Sequence, residues 1–512
     1  MNKMLDQYAD KIKGSFSFFD RMILNGYILP FISTNICNTS LYKLEVLHKD
    51  FKEYFKNVTE LIKTNIEKKA NELGRPVKFL QSPQTNKEAE ARKALEENPV
   101  DEGLICVLKA LEVCCTNYTT YDKKAGHPVV KQKSGKCEHY YLYYQDKEYG
   151  FMFVKIQTWF PFTIQIYING RELMKHVFDE HGIAYECYDN SFTEISDVEK
   201  AQELADKFDA AKLCRRLDHF AKTVNPFLDT VIEKIGQGYY WCVNQCEYAT
   251  DIMFKERSFL EDIYPSLVGH AFHDLSCTDV FTFMGRKLSP QFQGEAVSDY
   301  KKRPVGCRVK FRLKSNSIKM YDKSSVLRVE TTINDPKEFK IFGSIHHRDG
   351  TEEKVWKPMG KGISNLYRYA EISKAANKRF IDALVDIIPV NSVIQEIGDI
   401  CHGKEVKGKR ISGFNVWAPN IVLIMETVCD GRFLINGFRN KDIRNLIFPD
   451  IGDWKKQSAL TSRVLKKLRT FGLVRKNSRS RQYHVSSKGR RIMGALIELR
   501  RQQFPVLAAN IS

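Results

Sequence analysis

The stretch from Arg308 to Glu330 reads RVKFRLKSNSIKMYDKSSVLRVE, and apolar and polar side chains alternate along most of it. This period of two residues predicts β-strands, because successive side chains of a strand point to opposite faces. We expect strands over 305–313, 317–322 and 326–333. The last two are expected to pair as a hairpin through 323–325. The stretch therefore predicts a region of β-sheet in the second half of the chain.

Basic residues are concentrated along this predicted sheet. Between Lys301 and Arg328 the chain has ten Lys and Arg residues and a single acidic one, Asp322. Strand alternation places four of these cations on one face. They are Arg308, Lys310, Arg312 and Lys314. Such a stripe suits the phosphate backbone of a nucleic acid, and an ordinary charged sheet surface is the alternative interpretation.

A second region with strand character follows Cys137. Residues 138–170 read EHYYLYYQDKEYGFMFVKIQTWFPFTIQIYING and are dense in aromatic and β-branched side chains. These residue types favour strands, so we expect two or three of them here. The aromatic run over 140–144 predicts a sheet core, with a surface on which unpaired bases stack as the alternative.

The segment from Lys455 to Arg501 carries fifteen Lys and Arg residues against one acidic residue, a local charge of +14 out of +18 for the whole chain. Four apolar residues recur at helical spacing and predict a buried stripe: Leu460, Val464, Leu468 and Phe471. Gly472 ends this predicted helix. LVRKNSRSRQYHV then predicts two short strands around a basic turn at 477–481, before a last helix that starts near Ser487. Helix, basic hairpin and helix are typical of a winged helix, and a solvated basic face is the alternative.

Polar and basic side chains of this segment are the candidates for contacts with a nucleic acid. The helix offers these residues to a groove: Ser458, Thr461, Ser462, Arg463, Lys466 and Lys467. The turn offers Arg479 and Arg481 to the backbone or the minor groove. DNA is the expected partner, and structured RNA is the alternative.

Together these patterns predict an α+β fold. The expected organisation is a mostly helical region (1–125), an α+β body with a mixed or antiparallel sheet (126–400), a linker (401–418) and a winged helix-turn-helix domain (419–512). Within the first region we expect a long helix over 41–66 and an apolar helix around 104–113. The apolar stripe of the long helix packs on its own domain or, alternatively, forms a homodimer.

Within the opening stretch, SIKMYDK followed by LRVETTI resembles a signature of rolling-circle replication initiators and filamentous-phage replication proteins. That signature is Ile-x-x-Tyr-[Asp/Asn]-Lys, followed by Arg-[aliphatic]-Glu. The resemblance covers about 23 residues and implies that Tyr321 attacks a DNA phosphodiester. It also implies that Glu330 binds a divalent ion, Mg²⁺ or Mn²⁺, and that Lys323 or Arg328 contacts the phosphate. The alternative is that Tyr321 is a packed core residue and that Glu330 pairs with Arg328 or Lys319.

The chain departs from the wider nickase pattern in one respect. The His-hydrophobic-His metal motif is absent from the sequence, and the nearest arrangement has two residues between His270 and His273. Glu247 and Asp251, four residues apart, are expected to meet on a helical face and bind a metal, or to flank a strand as surface acids.

Further segments resemble a recurrent bacterial family of winged-helix-containing proteins. They are FDRMILNGYI (19–28), QTWFPFTIQIYINGRE (157–172), YWCVNQCEYATDIMF (240–254), SVLRVETTINDPKEFK (325–340) and FLINGFRNKDIRNLIF (433–448). This resemblance implies that residues 1–400 share one architecture with an appended winged helix. It implies no particular reaction.

The composition indicates the kind of partner and the cellular compartment to expect. A net charge of +18 and a pI near 9.2 favour a polyanionic partner. The thirteen cysteines show no regular spacing, which favours reduced thiols in a cytoplasmic protein. The N-terminal residues lack the apolar core of a signal peptide, and the longest apolar run, 22–32, is too short to span a bilayer, so we expect no membrane association.

We therefore expect a nucleic-acid-binding protein of a mobile or replicating element. In this hypothesis the winged helix locates a DNA site and the basic body acts on it by metal-dependent tyrosine nicking. One alternative is a non-enzymatic winged-helix transcriptional regulator. The other is a component of a ribonucleoprotein that binds structured RNA through the basic strand and the aromatic strands.

Overall fold

The structure is a computed structural model that describes residues 3–497, except for 125, 274, 289–295, 304–305, 347–350, 386–389, 407, 417, 431–432, 434–436, 478–479 and 487. Nineteen strands are described: β1 (Ile12–Tyr27), β2 (Val77–Leu80), β3 (Gly103–Asp122), β4 (His127–Asp146), β5 (Gly150–Gln157), β6 (Ile164–Asn169), β7 (Tyr185–Tyr188), β8 (Ser191–Ile195), β9 (Tyr240–Phe254), β10 (Ala296–Arg303), β11 (Gly306–Leu313), β12 (Asn316–Lys323), β13 (Val326–Ile333), β14 (Lys340–His346), β15 (Glu352–Pro358), β16 (Lys404–Val406), β17 (Lys409–Ile411), β18 (Val474–Lys476) and β19 (Tyr483–Val485).

Helices lie between and after these strands. Their bounds are α1 (Lys3–Gln7), α2 (Leu29–Ile32), α3 (Thr34–Lys43), α4 (Phe51–Glu72), α5 (Lys87–Glu97), α6 (Gly170–His181), α7 (Val198–Asp206), α8 (Ala210–Val224), α9 (Leu228–Ile235), α10 (Arg257–His273), α11 (Cys277–Phe283), α12 (Leu366–Val385), α13 (Val390–Cys401), α14 (Pro419–Val428), α15 (Asn440–Ile447) and α16 (Trp454–Thr470). Residues 488–497 are also helical. Within the described part of the chain, no helix combines the length and the apolar character needed to cross a membrane.

Eleven strands form one mixed sheet, in the order β10-β11-β12-β13-β9-β1-β6-β5-β4-β3-β2. All neighbours pair antiparallel except β2 and β3, which are parallel. The α+β fold with a large mixed sheet is therefore confirmed. The three strands expected around the opening stretch are confirmed as β11, β12 and β13, including the hairpin between the last two.

One expectation for the first third of the chain was wrong. The apolar segment around 104–113 is not a helix but the first half of β3, a strand that pairs with β4 over nineteen residue pairs in all. A strand and a helix that are buried on both faces have the same continuous apolar pattern, so periodicity does not distinguish them. The long helix is confirmed, although it begins at Phe51 rather than near Leu41.

The sheet has two different faces. One face packs against α4, α8, α10 and α12 and forms the largest hydrophobic core, which includes Phe55, Leu217 and Phe380. Among the described residues, the other face is covered in two places: α6, α7 and the β7–β8 hairpin cover Phe16 and Phe18, and α5 covers the strands at the far end. The sheet between these two covers is lined by polar and charged side chains.

A bulge in β1 interrupts the pairing with β9 in the middle of the sheet. Phe19 pairs with Tyr248 and Arg21 pairs with Glu247, so Asp20 is the extra residue between them. A bulge places two residues of one strand opposite a single residue of its partner. Asp20 and Arg21 consequently both reach side chains on the partly covered face, where each contacts a residue of opposite charge.

The C-terminal elements have a hydrophobic core of their own. It includes side chains of α14, α15, α16 and the 488–497 helix, and the β18–β19 hairpin packs beside them. Phe414 and Val416, from the expected linker, are also buried in it. The four-residue stripe expected on α16 is rotated in part: Leu468 and Phe471 are buried, but Leu460 and Val464 are half-exposed, and Thr461 and Leu465 are buried instead.

A glycine fixes the approach of α6 to the bulge. A Cβ atom at Gly170 would lie 1.9 Å from the carbonyl oxygen of Phe19, a backbone atom that has little room to move. We predict that Gly170→Ala lowers the free energy of unfolding by about 2–3 kcal/mol, as for other overpacked sites. Gly398→Ala is the matched control, because a Cβ there meets no atom within 4 Å and alanine favours the α13 helix by about 0.5–1 kcal/mol. Urea titration of both variants checks this, and equal effects would contradict the close approach.

Candidate active site

Three buried carboxylates meet on the partly covered face of the sheet. Asp20, Glu247 and Glu330 each offer an oxygen atom, and these atoms all lie within 4.8 Å of one another. Their strands, β1, β9 and β13, are adjacent in the sheet, with β9 in the centre. The side chains are 2–6% exposed. Buried carboxylates at this spacing require cations, either from the protein or from a metal ion.

Strand alternation and the bulge bring the three acids together. Glu330 faces Ala249 across the β13–β9 ladder, and the next position of β9 on the same face is Glu247. Asp20 reaches the cluster because it is the extra residue of the bulge opposite Glu247. A regular β1 strand would place Asp20 and Arg21 on opposite faces, so the bulge is what completes the cluster.

Three cations of the protein contact these acids. Lys319 Nζ lies 2.6 Å from a Glu330 oxygen and 3.1 Å from a Glu247 oxygen. Arg21 Nη2 lies 2.5 Å from the other Glu247 oxygen. Arg328 Nη2 lies 2.8 Å from Asp20, and its Nε lies 3.6 Å from Glu330.

Arg328 also joins the cluster to a fourth acid. Its Nη1 lies 3.1 Å from Asp251 and donates a 2.7 Å hydrogen bond to the carbonyl of Asn190, in the β7–β8 turn. Asp251 further accepts a hydrogen bond from the backbone N–H of Phe192. Four acids and three cations thus form one continuous network on this face.

The surroundings shift the pKa values of the acids in different directions. Burial opposes ionisation of Glu247, but Lys319 and Arg21 outweigh it and lower the pKa of Glu247 to about 2. Burial and the charge of Glu247 raise the pKa of Glu330, in spite of Lys319 and Arg328. Burial raises the pKa of Asp251 to about 6. Glu247 is therefore the acid most firmly held as an anion, and an added cation would favour ionisation of Glu330.

Tyr321 lies beside this cluster, between two arginines. It faces Arg328 on β13 and Arg308 on β11, and all three side chains share one face of the sheet. The side chain is half-buried, and the Tyr321 hydroxyl makes no hydrogen bond to any described residue. Burial, followed by the nearby Glu330, raises the pKa of Tyr321 to about 12. The phenol is thus protonated at neutral pH.

The cations expected around Tyr321 differ in their availability. Lys323 forms an ion pair with Asp189, and its ammonium group lies 5.4 Å from the centre of the Tyr321 ring. Arg308 is buried and contacts Asp299 at 2.7 Å. Lys310 and Arg312 form no ion pair with any described residue, and Arg312 is exposed.

The expected position of Lys314 was wrong. It lies just beyond β11, in the turn to β12, with a positive φ of 54° and an ion pair to Glu338 at 2.8 Å. The positive φ ends the strand alternation, so Lys314 does not continue the stripe of the other three cations. The stripe therefore consists of Arg308, Lys310 and Arg312.

Sequence reasoning missed Asp20 and Arg21, and it named Lys319 only as an ion-pair partner of Glu330. Glu247 and Asp251 were considered as a pair, but they lie on a strand rather than a helix, and both are buried rather than at the surface. A signal for the first two exists in FFDRMI, where two consecutive charges interrupt an apolar strand segment. Adjacent charges inside such a run indicate a bulge, since a regular half-buried strand has room for only one of them.

The C-terminal candidates are placed in three different ways. Arg463, Lys466 and Arg481 are exposed, as is Ser462. Ser458 and Ser462 both hydrogen-bond with Asn440 of α15. Arg479 lies outside the described residues.

Two further C-terminal expectations were wrong, because these side chains point toward the core. Thr461 is fully buried. Lys467 donates a 2.8 Å hydrogen bond to the carbonyl of Gly413, and its ammonium group lies 4.4 Å from the Phe414 ring. Both residues face inward because the helix is rotated relative to the expected stripe, so neither is offered to a groove.

We predict that Lys319→Met destabilises the protein by about 3–5 kcal/mol, because it leaves Glu330 buried without its closest cation. Lys310→Met is the matched control: Lys310 is the direct cross-strand neighbour of Lys319 but forms no ion pair with a described residue. We expect the control to change stability by less than about 1 kcal/mol. Urea unfolding measures both values, and a small loss in Lys319→Met would show that the network does not stabilise the fold.

The chain matches no protein-family model, no curated protein and no solved structure.

Proposed function

We propose that this chain is a DNA-binding protein of a mobile or replicating element that nicks DNA with Tyr321 in a metal-dependent reaction. One observation carries the proposal: a tyrosine without a hydrogen-bond partner among the described residues lies between Arg308 and Arg328, beside three clustered carboxylates. A nucleophile, cations for a phosphate and oxygen ligands for a hard metal ion are the groups that this reaction needs.

The carboxylate cluster fits a divalent ion. Asp20, Glu247 and Glu330 supply only oxygen ligands, which Mg²⁺ and Mn²⁺ prefer, and their oxygens lie close enough together to share one ion. When bound, such an ion neutralises charge on the phosphate oxygens. Lys319 contacts two of these three acids, so binding of an ion requires Lys319 to give up part of these contacts.

In the proposed reaction the hydroxyl oxygen of Tyr321 attacks the phosphorus of a phosphodiester. A bond forms between that oxygen and phosphorus, and the bond from phosphorus to the 3′ oxygen breaks. The 3′ oxygen leaves with the electron pair and takes up one proton, which balances the proton lost by the phenol. The products are a 5′-phosphotyrosine and a free 3′-hydroxyl. Arg308 and Arg328 flank this position on the two neighbouring strands. Both already pair with acids, so a phosphate here would have to replace part of these contacts.

The C-terminal elements support a role in locating the DNA. Helices α15 and α16 precede the β18–β19 hairpin, and Phe438 bridges to Tyr483 of that hairpin. A further helix follows at 488–497. We propose that this order corresponds to a winged helix, with Arg463 and Lys466 of α16 and Arg481 of the hairpin facing the DNA.

A second candidate function is a non-enzymatic transcriptional regulator. One observation favours it: every carboxylate of the cluster already contacts a lysine or an arginine of the protein. A network of this kind also serves as a purely structural element. The two candidates differ in their need for Mg²⁺ or Mn²⁺ and in their effect on supercoiled DNA. The third possibility, a binder of structured RNA, predicts that a discrete RNA copurifies instead of DNA.

We predict that the protein with Mg²⁺ or Mn²⁺ converts a supercoiled plasmid carrying its copurifying DNA sequence into open circles. Tyr321→Phe should reduce the rate by about 10³-fold or more, because it removes the attacking oxygen. The matched control is Tyr300→Phe on β10, whose hydroxyl contacts the Cys307 sulfur and which should keep the activity. Gel electrophoresis measures the open circles, and protease-sensitive labelling of the 5′ end detects the covalent adduct. Nicking that persists in Tyr321→Phe, or in the presence of EDTA, would refute the proposal.

We also predict that the double variant Arg463→Ala/Lys466→Ala binds DNA about tenfold more weakly. Loss of two phosphate contacts should flatten the plot of log affinity against log salt by about 1.8, since each contact contributes about 0.9 on duplex DNA. The control is Lys52→Ala/Lys56→Ala, which removes two exposed cations from another helix, α4. Fluorescence anisotropy at several salt concentrations provides both values. Equal slopes in the two double variants would exclude α16 from the interface.

A further inference from the structure

The main sheet consists of two halves with the same topology. In the first half β1 is followed, after helices, by β3, β4, β5 and β6, which lie in the order β1-β6-β5-β4-β3. In the second half β9 is followed, after helices, by β10, β11, β12 and β13, which lie in the order β9-β13-β12-β11-β10. The two halves join through the antiparallel β1–β9 pair. This arrangement has the symmetry of a dimer with a twofold axis through the middle of that pair.

The strand registers extend this correspondence to single residues. The middle of the β1–β9 ladder is the Arg21–Glu247 pair. A twofold rotation about this pair exchanges β1 with β9 and places Asn25 where Asp251 lies. Gln165 faces Asn25, and Arg328 faces Asp251, so Gln165 corresponds to Arg328. Lys155, which faces Gln165, then takes the place of Tyr321, which faces Arg328.

The first half has a cavity at this corresponding position. It measures about 90 Å³, opens to solvent, and is lined by Asn25, Tyr27, His139, Lys155, Thr163 and Gln165. Most of these side chains are polar, and none of the described residues that line the cavity is acidic. The position of the tyrosine nucleophile is occupied by a lysine, so this half has the place of the candidate active site but not its reactive groups.

Two hydrogen-bond acceptors remain free at the cavity. His139 Nδ1 lies 3.2 Å from the carbonyl of Cys137, so Nδ1 carries the proton and Nε2 accepts. Burial, followed by the charge of Lys155, lowers the pKa of His139 to about 4, so the ring is neutral at pH 7. Gln165 donates its amide N–H to Asn25, which leaves the Gln165 carbonyl oxygen without a partner among the described residues.

The other side chains that line the cavity determine which ligands it can bind. Lys155 is neutralised in part by Glu112 at 2.8 Å, so the cavity has little excess positive charge to attract a phosphate. Tyr27 supplies an aromatic ring at the cavity. Two acceptors, one ammonium donor and an aromatic side chain match the edge and face of a nucleobase that carries an exocyclic amine.

We propose that this cavity binds an unpaired nucleobase with an exocyclic amino group, from the same DNA strand that Tyr321 nicks. The inference rests on the proposed function, since both sites lie on one face of one sheet. Strand β6 is four positions from β12 in the sheet, about 19 Å across the strands. Gln165 faces Asn25, whereas Arg328 faces Asp251 and through it Phe16, so the two sites also lie about 30 Å apart along the strands. The bound base is therefore several nucleotides from the scissile phosphate. The first half acts as a non-cleaving copy of the active half and holds the single strand across the sheet.

The experiment compares single-stranded dA20, dC20 and dT20 by fluorescence anisotropy with the full chain. Adenine and cytosine carry an exocyclic amine and thymine does not, so we expect dA20 and dC20 to bind about tenfold more tightly than dT20. Gln165→Leu removes one acceptor and should abolish this preference. Gln7→Leu, an exposed glutamine of α1, is the matched control and should retain it.

The outcomes separate this inference from the proposed nicking. Circular dichroism and the binding of duplex DNA through the C-terminal elements show whether Gln165→Leu is folded. If Gln165→Leu is misfolded, Asn25→Ala serves as the second variant, since it removes the partner that orients Gln165. Plasmid nicking that depends on Tyr321, together with equal affinities for the three oligonucleotides, would overturn the base pocket and leave the nicking proposal standing. A wild-type protein that neither binds single-stranded DNA nor nicks the plasmid would overturn both the base pocket and the nicking proposal.

Discussion

The buried guanidinium of Arg328 is the interaction on which the rest of the site depends. It is fully enclosed and contacts Asp20, Asp251 and Glu330, together with the carbonyl of Asn190. A charge without water is stable only when it is paired, so each of these acids is held in place by the same cation. Arg328 thereby connects three strands of the sheet and fixes the β7–β8 turn over one end of the cluster.

The cluster lies in the centre of the sheet, where two similar halves meet. The β1–β9 pair joins the two similar halves, and the bulge at Asp20 occurs at the middle of this pair. In a sheet with exact twofold symmetry both halves would present equivalent residues at the junction. Here Arg21 and Glu247 face each other instead, and the acids belong mainly to the second half. The junction thus distinguishes a half that carries most of the clustered acids from a half that does not.

Tyr321 and Glu330 became site candidates through the resemblance of a short motif. Local pattern predicted the hairpin strands, because strand alternation is a property of neighbouring residues. It did not predict Asp20, since the bulge shows only when the pairing of β1 with β9 is known, more than 200 residues away in sequence. Lys314 was misplaced because a positive φ ended the alternation one residue earlier than the charge pattern indicated. Thr461 and Lys467 were misplaced because rotation of a helix by a fraction of a turn depends on its neighbours, here Phe414 and the segment around it.

The sheet face and α16 differ in how many of their cations are paired with acids. On the sheet face Arg308, Lys319 and Arg328 are compensated by acids, so these three cations add little long-range attraction for a polyanion. Lys310 and Arg312 on the same face, and the exposed Arg463 and Lys466 on α16, form no ion pair with any described residue. In the proposed complex with DNA, we therefore expect non-specific affinity and its salt dependence to arise from these unpaired cations. The compensated network around Arg328, by contrast, is suited to discriminate among ligands that are already bound. Its hydrogen bonds and paired charges respond to the geometry of a ligand more than to the ligand's total charge.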